Sequence, residues 1–324
     1  MARSKAGAGG TLAFERPIAE LEEEIRDLRA AQAAGKSDVA KELRAAEQRA
    51  EALMREIFSQ LTPWQRVQLA RHPNRPLVNH YLDLMFTDLM ELHGDRYFRD
   101  DPAIVTALAR IGGRRCLVVG HRKGRDVKEK VACHFGSPEP EGYRKAMRKM
   151  RLAERFGVPV VALIDTQGAY PGIGAEERGQ AWAIAENIQD MTGLRVPVVV
   201  AVVGEGGSGG ALGIGVGDRV LMLENAYYSV ISPEGCAAIL WKTSEKAEEA
   251  AKQLKLTAAD LERLGIVDQV VPEPLGGAHR NPEQAATSLR HAIVKALADL
   301  DGVPIEALLE ARYEKFRRIG AHLF

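Results

Sequence analysis

Hydrophobic residues between residues 17 and 60 recur at steps of three and four positions. The apolar positions of this segment are Ile18, Leu21, Ile25, Leu28, Val39, Leu43, Ala46, Ala50, Leu53 and Ile57. This spacing is typical of amphipathic helices, and the polar break at 34–38 predicts a helical hairpin. The apolar stripe is narrow, so we expect the hairpin to pack either on a partner subunit or on its own domain.

Further along the chain, short apolar runs alternate with helical segments. After helical residues up to position 93, the runs 103–111 and 115–120 flank Gly112-Gly113 and predict a β-hairpin. The segments that follow are a helix at 143–156, a strand at 158–164, a helix at 175–191, a strand at 196–203, a short helix from 209 and a strand at 219–223. This alternation predicts an α/β fold with largely parallel strands.

Two glycine-rich loops follow two of the predicted strands. Residues 204–215 read Gly-Glu-Gly-Gly-Ser-Gly-Gly-Ala-Leu-Gly-Ile-Gly, and residues 166–174 follow the run that ends at Asp165. Glycine has no Cβ, so backbone N–H groups in such loops can approach a ligand atom closely. Because ligand sites of parallel sheets lie beyond the carboxyl ends of the strands, we expect both loops to face one pocket.

The loop at 204–215 matches three patterns with different chemistry. Its glycine spacing fits a dinucleotide-binding motif completed by Glu224. The same residues fit the nucleophile elbow of a serine hydrolase or protease, with Ser208 as the nucleophile. In a third interpretation, the N–H groups of Gly206 and Gly207 form an oxyanion hole.

The surrounding sequence favours the oxyanion hole. A dinucleotide fold needs a full helix after the glycines, but the segment from Gly209 to Asp218 is short and rich in glycine. A hydrolase needs a histidine base, and the sequence supports no such partner for Ser208, which we interpret as a helix cap. An oxyanion hole needs no side-chain nucleophile, which explains why the loop is nearly all glycine.

The composition is that of a globular protein without a membrane span. The chain has 324 residues, of which 46% are hydrophobic and 27% are charged, and its formal net charge is zero. Cys116, Cys133 and Cys236 form no C-x-x-C pair, and the N-terminus lacks an apolar signal core. We therefore expect a cytoplasmic protein with no disulfide framework and no cysteine zinc site. Nothing in the sequence implies nucleic-acid binding.

Basic residues are in local excess between residues 110 and 155. This stretch holds fourteen Lys and Arg residues against five Asp and Glu residues. Two explanations stay open: the stretch meets an anionic group, or its charges form the solvated face of the predicted helix 143–156. In the second case the exposed residues are Arg144, Lys145, Arg148, Lys149 and Arg151.

Six longer motifs carry a family resemblance. They are Gly120-His-Arg-Lys-Gly-Arg-Asp126, Pro140-Glu-Gly-Tyr-Arg-Lys145, Gly168-Ala-Tyr-Pro-Gly-Ile-Gly-Ala-Glu-Glu-Arg-Gly-Gln180, Gly204-Glu-Gly-Gly-Ser-Gly-Gly-Ala-Leu212, Tyr228-Ser-Val-Ile-Ser-Pro-Glu-Gly-Cys236 and Pro272-Glu-Pro-Leu-Gly-Gly-Ala-His-Arg-Asn-Pro282. With them the chain closely resembles, from about Leu12 to Arg318, the carboxyltransferase alpha subunit of bacterial and plastid-type acetyl-CoA carboxylase.

The resemblance implies the crotonase (ClpP-like) fold, a spiral of β-β-α units, preceded here by an N-terminal helical hairpin. Residues 1–10 are expected to form a disordered arm and residues 11–95 a helical region with its hairpin at 17–60. Residues 96–324 are expected to form the crotonase-like carboxyltransferase domain with its C-terminal helices.

The resemblance also implies the reaction and the site. A carboxyl group passes from carboxybiotin, presented by the biotin carboxyl carrier protein, to acetyl-CoA and gives malonyl-CoA for fatty acid synthesis. Gly206 and Gly207 are expected to offer their N–H groups to the biotin ureido oxygen. The implied substrate-binding residues are Gly168, Tyr170, Gly172, Ile173 and Ser208. The candidate anion contacts are Arg122, Lys123 and Arg125.

The second half of the site is implied to lie on a separate beta subunit. That subunit carries a four-cysteine zinc ribbon and most of the CoA site, in an α2β2 heterotetramer, and this chain is expected to be inactive without it. ATP is used only at the partner biotin carboxylase, and this chain is expected to hold no covalent cofactor and no metal.

The chain departs from the family pattern at two places. Gln167 stands where proline is common, and Ala132-Cys133-His134 stands where basic and polar residues are more usual. A β-branched residue at Gly206 or Gly207 is expected to abolish transfer while the fold stays largely assembled.

Overall fold

Helices and strands alternate along most of the chain. The structure is a computed structural model that describes residues 10–35 and 39–321, so the predicted arm lies almost wholly outside the described residues. The helices are α1 (Arg16–Ala33), α2 (Ala40–Ser59), α3 (Pro63–Ala70), α4 (Val78–Met85), α5 (Val127–Ala132), α6 (Pro140–Arg155), α7 (Ile173–Glu177), α8 (Gln180–Thr192), α9 (Ser208–Leu212), α10 (Pro233–Trp241), α11 (Ala247–Leu254), α12 (Ala258–Arg263), α13 (Pro282–Asp299) and α14 (Ile305–Arg318). The strands are β1 (Phe86–Glu91), β2 (Ile104–Ile111), β3 (Arg114–His121), β4 (Val160–Thr166), β5 (Val198–Gly207), β6 (Arg219–Leu223), β7 (Tyr227–Ser229) and β8 (Gln269–Val271).

Helices α1 and α2 pack against each other through the apolar stripe that the sequence predicts. Ile25 of α1 meets Leu43, Ala46 and Ala50 of α2 in a small cluster. At the base of the pair, Ile57 and Phe58 join a second cluster with Leu61 and Leu69, so this end packs on the chain's own domain. None of the described helices is long and apolar enough to cross a membrane.

One sheet organises the rest of the chain. Its strands lie in the order β1-β2-β3-β4-β5-β6-β8, and β7 pairs with the end of β5. The β1–β2 and β2–β3 pairs are antiparallel, and β3, β4, β5, β6 and β8 run parallel. Every residue of β4 and β5 is buried, which is typical of parallel strands covered on both faces by helices.

Three predicted elements differ from the structure. Residues 86–91 form strand β1 rather than helix, because they pair with β2 at the sheet edge across a β-bulge. The helix predicted at 175–191 is broken into α7 and α8 at Gly179, whose φ of 81° is unfavourable for other residues. Strand β5 runs on to Gly207, because β7 pairs with the glycines at its end.

Helix α6 buries two of the lysines that a solvated face would expose. Lys145 is 2% exposed, and its Nζ donates to Asp100 Oδ1 and to the carbonyl of Asp101, both at 2.6 Å. Lys149 is also buried and lies near the carbonyls of His93 and Gly94. For these two residues the solvated-face explanation is wrong, because their long side chains hold the loop before β2 in place.

The C-terminal helix α14 is anchored at the other end of the parallel strands. Arg312 is buried, and its Nε and Nη2 donate to the two carboxylate oxygens of Asp218 at 2.8 and 2.7 Å. Asp218 in turn accepts the N–H of Val198, the first residue of β5, at 2.7 Å. This buried ion pair therefore fixes the amino end of the strand whose carboxyl end carries the glycines.

Candidate functional site

The two glycine loops meet at the carboxyl ends of neighbouring strands, as the sequence predicts. Strand β4 ends at Thr166, which lies opposite Gly206 in the adjacent strand β5. Helix α9 begins directly after Gly207, so the second loop is a sharp strand-to-helix turn. This is the edge of a parallel sheet where ligands bind.

The glycines at this edge allow the two loops to touch backbone to backbone. A Cβ on Gly207 would lie 2.2 Å from the carbonyl oxygen of Gln167, and one on Gly210 would lie 2.4 Å from the N atom of Ala169. Neither site has room for a side chain. A β-branched residue at Gly207 would therefore displace the first loop, and the expectation that the fold stays largely assembled around it stays a prediction.

The nearest contact that a Cβ on Gly206 would make is with a side chain rather than with backbone atoms. A Cβ there would lie 2.8 Å from Cδ2 and 3.1 Å from Cγ of the Tyr228 ring. Tyr228 belongs to β7, which pairs with Gly206 and Gly207. The N–H groups of both glycines thus lie in a backbone segment held between β4 and β7, and their role as an oxyanion hole stays a prediction.

The substrate-binding residues expected on the first loop all lie at or beside this edge. Gly168 has a φ of 146°, and a Cβ on it would come within 4.0 Å of Ser208 Cβ on the second loop. Tyr170 packs its ring against His134, with ring centroids 4.0 Å apart. Gly172 lies against the Tyr170 ring, and Ile173 begins α7 with its side chain 80% exposed. The departure at His134 therefore contributes to this wall.

Ser208 is exposed and has a φ of 56°, but it is neither part of a triad nor a helix cap. The N-cap position of α9 is occupied by Gly207, and no side chain caps this helix. The helix-cap interpretation of Ser208 is thus wrong, because in the part of the chain that the structure describes its hydroxyl accepts no N–H of α9. Among the described residues no hydrogen bond joins Ser208 to a histidine, so the geometry gives a hydrolase no base.

The three candidate anion contacts are each paired with a carboxylate of the chain itself. Arg122 donates to Glu91 at 2.6 Å, and Arg125 donates to Asp83 at 2.5 Å. Lys123 lies 2.6 Å from a Glu205 oxygen and 2.8 Å from an Asp165 oxygen. Contact with a substrate anion stays a prediction for all three, and the structure shows the partly buried Lys123 paired within the chain.

Lys123 and Arg125 line a shared cavity of about 640 Å³ that opens beside Gln167 of the first loop. Arg122 lines a separate, smaller cavity with Glu91, Arg125 and Cys133. Arg125 therefore lines both cavities, whereas Lys123 lines only the first of the two and Arg122 only the second.

The sequence did not predict a partly buried charged cluster beside the glycines, which also lines the first cavity. The Glu205 carboxylate accepts hydrogen bonds from Arg71 Nε at 2.6 Å, Lys123 Nζ at 2.6 Å and the Tyr227 hydroxyl at 2.9 Å. Burial opposes the charge of Glu205, but Lys123 and Arg71 outweigh it and lower the pKa of Glu205 to about 2. Asp165 and Glu205 likewise overcome burial and raise the pKa of Lys123 to about 12.

His121 at the end of β3 is a second residue that the sequence reasoning missed. Its ring is fully buried, and its Nδ1 accepts a hydrogen bond from the N–H of Asp165, with an N-to-N distance of 3.4 Å. Burial lowers the pKa of His121 to about 3, so the ring is neutral under physiological conditions. The signal that could have found His121 and Asp165 is a polar residue at the end of each otherwise apolar strand.

A third cluster joins the start of the chain to the loop before α13. Ligand atoms of Glu15, His72 and His279 lie within 4.8 Å of one another. Both His72 nitrogens are already used, by the carbonyl of Gly10 at 2.7 Å and by the N–H of Asn74 at 3.1 Å. The guanidinium of Arg280 lies 3.3 Å from Oε1 of Glu15. These residues fit a hydrogen-bonded structural link better than a metal site, because a cation would meet Arg280 and displace both bonds of His72.

Exposed apolar side chains surround the glycine loops. Ile173 follows the first loop, Leu212 lies in α9, and Val230 directly follows β7 and is 77% exposed. Trp182 on α8 is also exposed. Side chains of this kind on segments that build a site indicate a surface that another molecule covers.

Comparison with known proteins shows the family. The family model described as acetyl co-enzyme A carboxylase carboxyltransferase-like matches residues 11–320. The chain is 56% identical over 310 residues to the acetyl-coenzyme A carboxylase carboxyl transferase subunit alpha of Thermus thermophilus, covering 96% of this chain and 98% of the relative. It is 55% identical to the subunit of the same name from Azoarcus sp., covering 95% and 96% of the two chains.

Solved structures of low sequence identity share the fold. The transcarboxylase 12S structure aligns with a TM-score of 0.56 at 21% identity, covering 69% of this chain and 41% of that one. A Pseudomonas malonate decarboxylase hetero-tetramer, determined in complex with coenzyme A, aligns with a TM-score of 0.55 at 18% identity, covering 68% and 91%. These are crotonase-like folds, which confirms the predicted fold class. Neither similarity supports a serine protease.

Proposed function

The chain belongs to the family of acetyl-coenzyme A carboxylase carboxyltransferase alpha subunits, and on this premise we propose that its two glycine loops form the biotin half of the carboxyltransferase site. The family's reaction moves a carboxyl group to acetyl-CoA and gives malonyl-CoA for fatty acid synthesis. The protein is thus a carboxyltransferase subunit, and the proposal concerns which atoms of this chain take part.

The chemistry of biotin defines what this half of the site must supply. When the carboxyl group leaves carboxybiotin as a CO₂-like species, negative charge develops on the ureido oxygen. The resulting enolate then takes a proton from the acetyl methyl group, and the acetyl-CoA enolate is carboxylated. Backbone N–H groups that point at the ureido oxygen stabilise this charge, and one such donor contributes about 2.7–4 kcal/mol.

The observation that carries the proposal is the backbone-to-backbone contact of the two loops at the end of β5. At Gly207 and Gly210 no side chain fits, and at Gly206 a Cβ would press on the Tyr228 ring. The lack of side chains at these positions supports the proposal that backbone N–H groups face the ligand here. Gly168, Tyr170, Gly172, Ile173 and Ser208 lie beside it and are proposed to line the wall that receives the biotin ring.

The exposed apolar residues on the site segments support a partner subunit. Ile173, Leu212 and Val230 lie on the three segments that build the glycine edge, and all three are exposed. We propose that a zinc-ribbon beta subunit covers them in an α2β2 heterotetramer and supplies the acetyl-CoA oxyanion hole. The biotin carboxyl carrier protein presents carboxybiotin to the assembled site, and ATP is used only at the biotin carboxylase.

Two further expectations belong to this proposal. The chain binds no metal and no covalent cofactor of its own, and zinc lies on the beta subunit. The enzyme acts in the cytoplasm, which agrees with three cysteines that are all unbridged.

The test is carboxyl transfer from malonyl-CoA to free biotin, measured with the purified chain alone and with a candidate beta subunit. Activity is expected only in the mixture, and removal of zinc from the partner is expected to abolish it. Full activity of the chain alone would show that both halves of the site lie on one polypeptide and would overturn the proposal.

A further inference from the structure

Strand β5 is irregular at the position where it approaches the glycines. Ile164 lies opposite Val202, but the next pair is Thr166 and Gly206, so two steps along β4 correspond to four along β5. A bulge of this kind bends the strand and changes the direction of the groups that follow it. The direction of the Gly206 and Gly207 N–H groups therefore depends on what holds the bulge.

The Asp165 side chain occupies the inside of the bulge. Its Oδ1 accepts the N–H of Glu205 at 3.0 Å. A Cβ on Gly204 would lie 2.4 Å from the same oxygen, so only glycine allows the carboxylate to come this close. Asp165 thus replaces a strand partner that the bulge has removed.

Lys123 joins the two strands at this point. Its ammonium lies 2.8 Å from Asp165 Oδ1 and 2.6 Å from Glu205 Oε2. The other carboxylate oxygen of Glu205 is held by Arg71 and Tyr227. Every strong partner of Lys123 is therefore an acid that touches the bulge, and Glu205 directly precedes Gly206 in the chain.

We propose that Lys123 is a positioning residue for carboxyl transfer, because its ammonium locks Asp165 and Glu205 across the bulge and so fixes the direction of the Gly206 and Gly207 N–H groups. This inference rests on the proposed role of those glycines. It assigns to Lys123 an action through the backbone of β5 rather than contact with a substrate anion.

The size of the expected effect follows from geometry. A misplacement of about 1 Å at a reacting centre costs on the order of 100-fold in rate. Loss of the ammonium would leave two buried carboxylates facing each other, and we expect the strand end to relax by a distance of that order. The affinity for substrates that the partner subunit binds would be unaffected.

The experiment uses the chain assembled with its beta subunit and compares Lys123→Met with the wild type. Methionine keeps the length of the side chain without its charge. We expect kcat for transfer to free biotin to fall on the order of 100-fold, with an unchanged KM for malonyl-CoA. Glu205→Gln should likewise lower kcat and leave the KM for malonyl-CoA unchanged. The double variant should lose no more kcat than the less active single variant, because both substitutions break the same ion pair.

Asp218→Asn is the matched control for lost stability. Asp218 is also paired with an arginine in a buried ion pair, but it lies at the amino end of the same strand. Lys123→Met and Asp218→Asn are both expected to unfold more easily than the wild type. Asp218→Asn is expected to keep the wild-type kcat at temperatures where it is folded. A Lys123→Met enzyme with full kcat, or an equal loss of kcat in folded Asp218→Asn, would overturn the inference.

The two proposals fail in different ways. If the wild-type complex transfers no carboxyl group, the proposed function is wrong. If the wild-type complex is active and Lys123→Met is equally active, only the positioning role is wrong.

Discussion

Substitution of Gly206 by alanine is the mildest change that can be made at the proposed oxyanion hole. The new Cβ would lie 2.8 Å from Cδ2 of Tyr228, whereas ordinary contacts begin at 3.4 Å. The Tyr228 ring is held in β7, which pairs with the same glycines. Relief of the contact therefore requires a movement of roughly 0.6 Å, shared between the ring and the strand that carries the N–H groups.

A shift of that size predicts a loss in rate rather than in substrate binding by the partner. Since about 1 Å of misplacement costs roughly 100-fold, we expect kcat to fall by about 10- to 100-fold, which corresponds to about 1.4–2.7 kcal/mol of transition-state stabilisation. The assay is transfer from malonyl-CoA to free biotin by the assembled enzyme. The KM for malonyl-CoA is expected to stay at the wild-type value.

Gly217→Ala is the matched control for this prediction. A Cβ on Gly217 would also lie 2.8 Å from a neighbour, Cγ2 of Val200, and 2.9 Å from the carbonyl oxygen of Val198, but at the opposite end of β5. Gly217→Ala should therefore lose at least as much stability as Gly206→Ala, and only Gly206→Ala should lose turnover. A fully active Gly206→Ala enzyme, or an equal loss of kcat in Gly217→Ala, would show that the Gly206 N–H does not contribute to transfer.

Three further outcomes are expected. Ser208→Ala should keep kcat and raise the KM for biotin by at most about tenfold, the equivalent of one neutral hydrogen bond. A fluorophosphonate probe should not label the wild-type enzyme. A large loss of kcat in Ser208→Ala would restore Ser208 as a candidate nucleophile. Arg312→Met should lower the free energy of unfolding in urea by about 3–5 kcal/mol, because it leaves Asp218 buried without its partner; a change below about 1 kcal/mol would contradict this. His121 stabilises the fold only while neutral, so its contribution is complete above its unfolded pKa of 6.5. The contribution is lost at about 1.4 kcal/mol per pH unit as the pH falls towards its folded pKa of about 3. For His121→Gln we therefore expect the free energy of unfolding to fall less steeply with falling pH.

The sequence predicted the sheet edge because the patterns that indicate it are local in the chain. The apolar runs ending at Asp165 and Val203 and the glycines that follow them are each visible in a short stretch of chain. Parallel strands end on one side of the sheet, so the two loops could be placed together without knowing any distance. Strand β1 was missed for the opposite reason, since its pairing with β2 across a bulge has no counterpart in its own residues.

The charged cluster under the glycines could not be predicted from the sequence. Arg71 and Glu205 are 134 residues apart and meet only after α3 packs near β5. Lys123 was read as an anion contact from the basic stretch around it, and only the fold shows that its anions are Asp165 and Glu205. The charge of a residue is local information, but its partner depends on topology.

The most direct test of the account is the structure of the complex of this chain with its beta subunit and a biotinyl-lysine ligand. We expect the ureido oxygen to lie about 2.7–3.1 Å from the N atoms of Gly206 and Gly207, the distance required of oxyanion-hole donors. A ureido oxygen held by side chains, or by the partner subunit alone, would contradict the assignment of these two glycines.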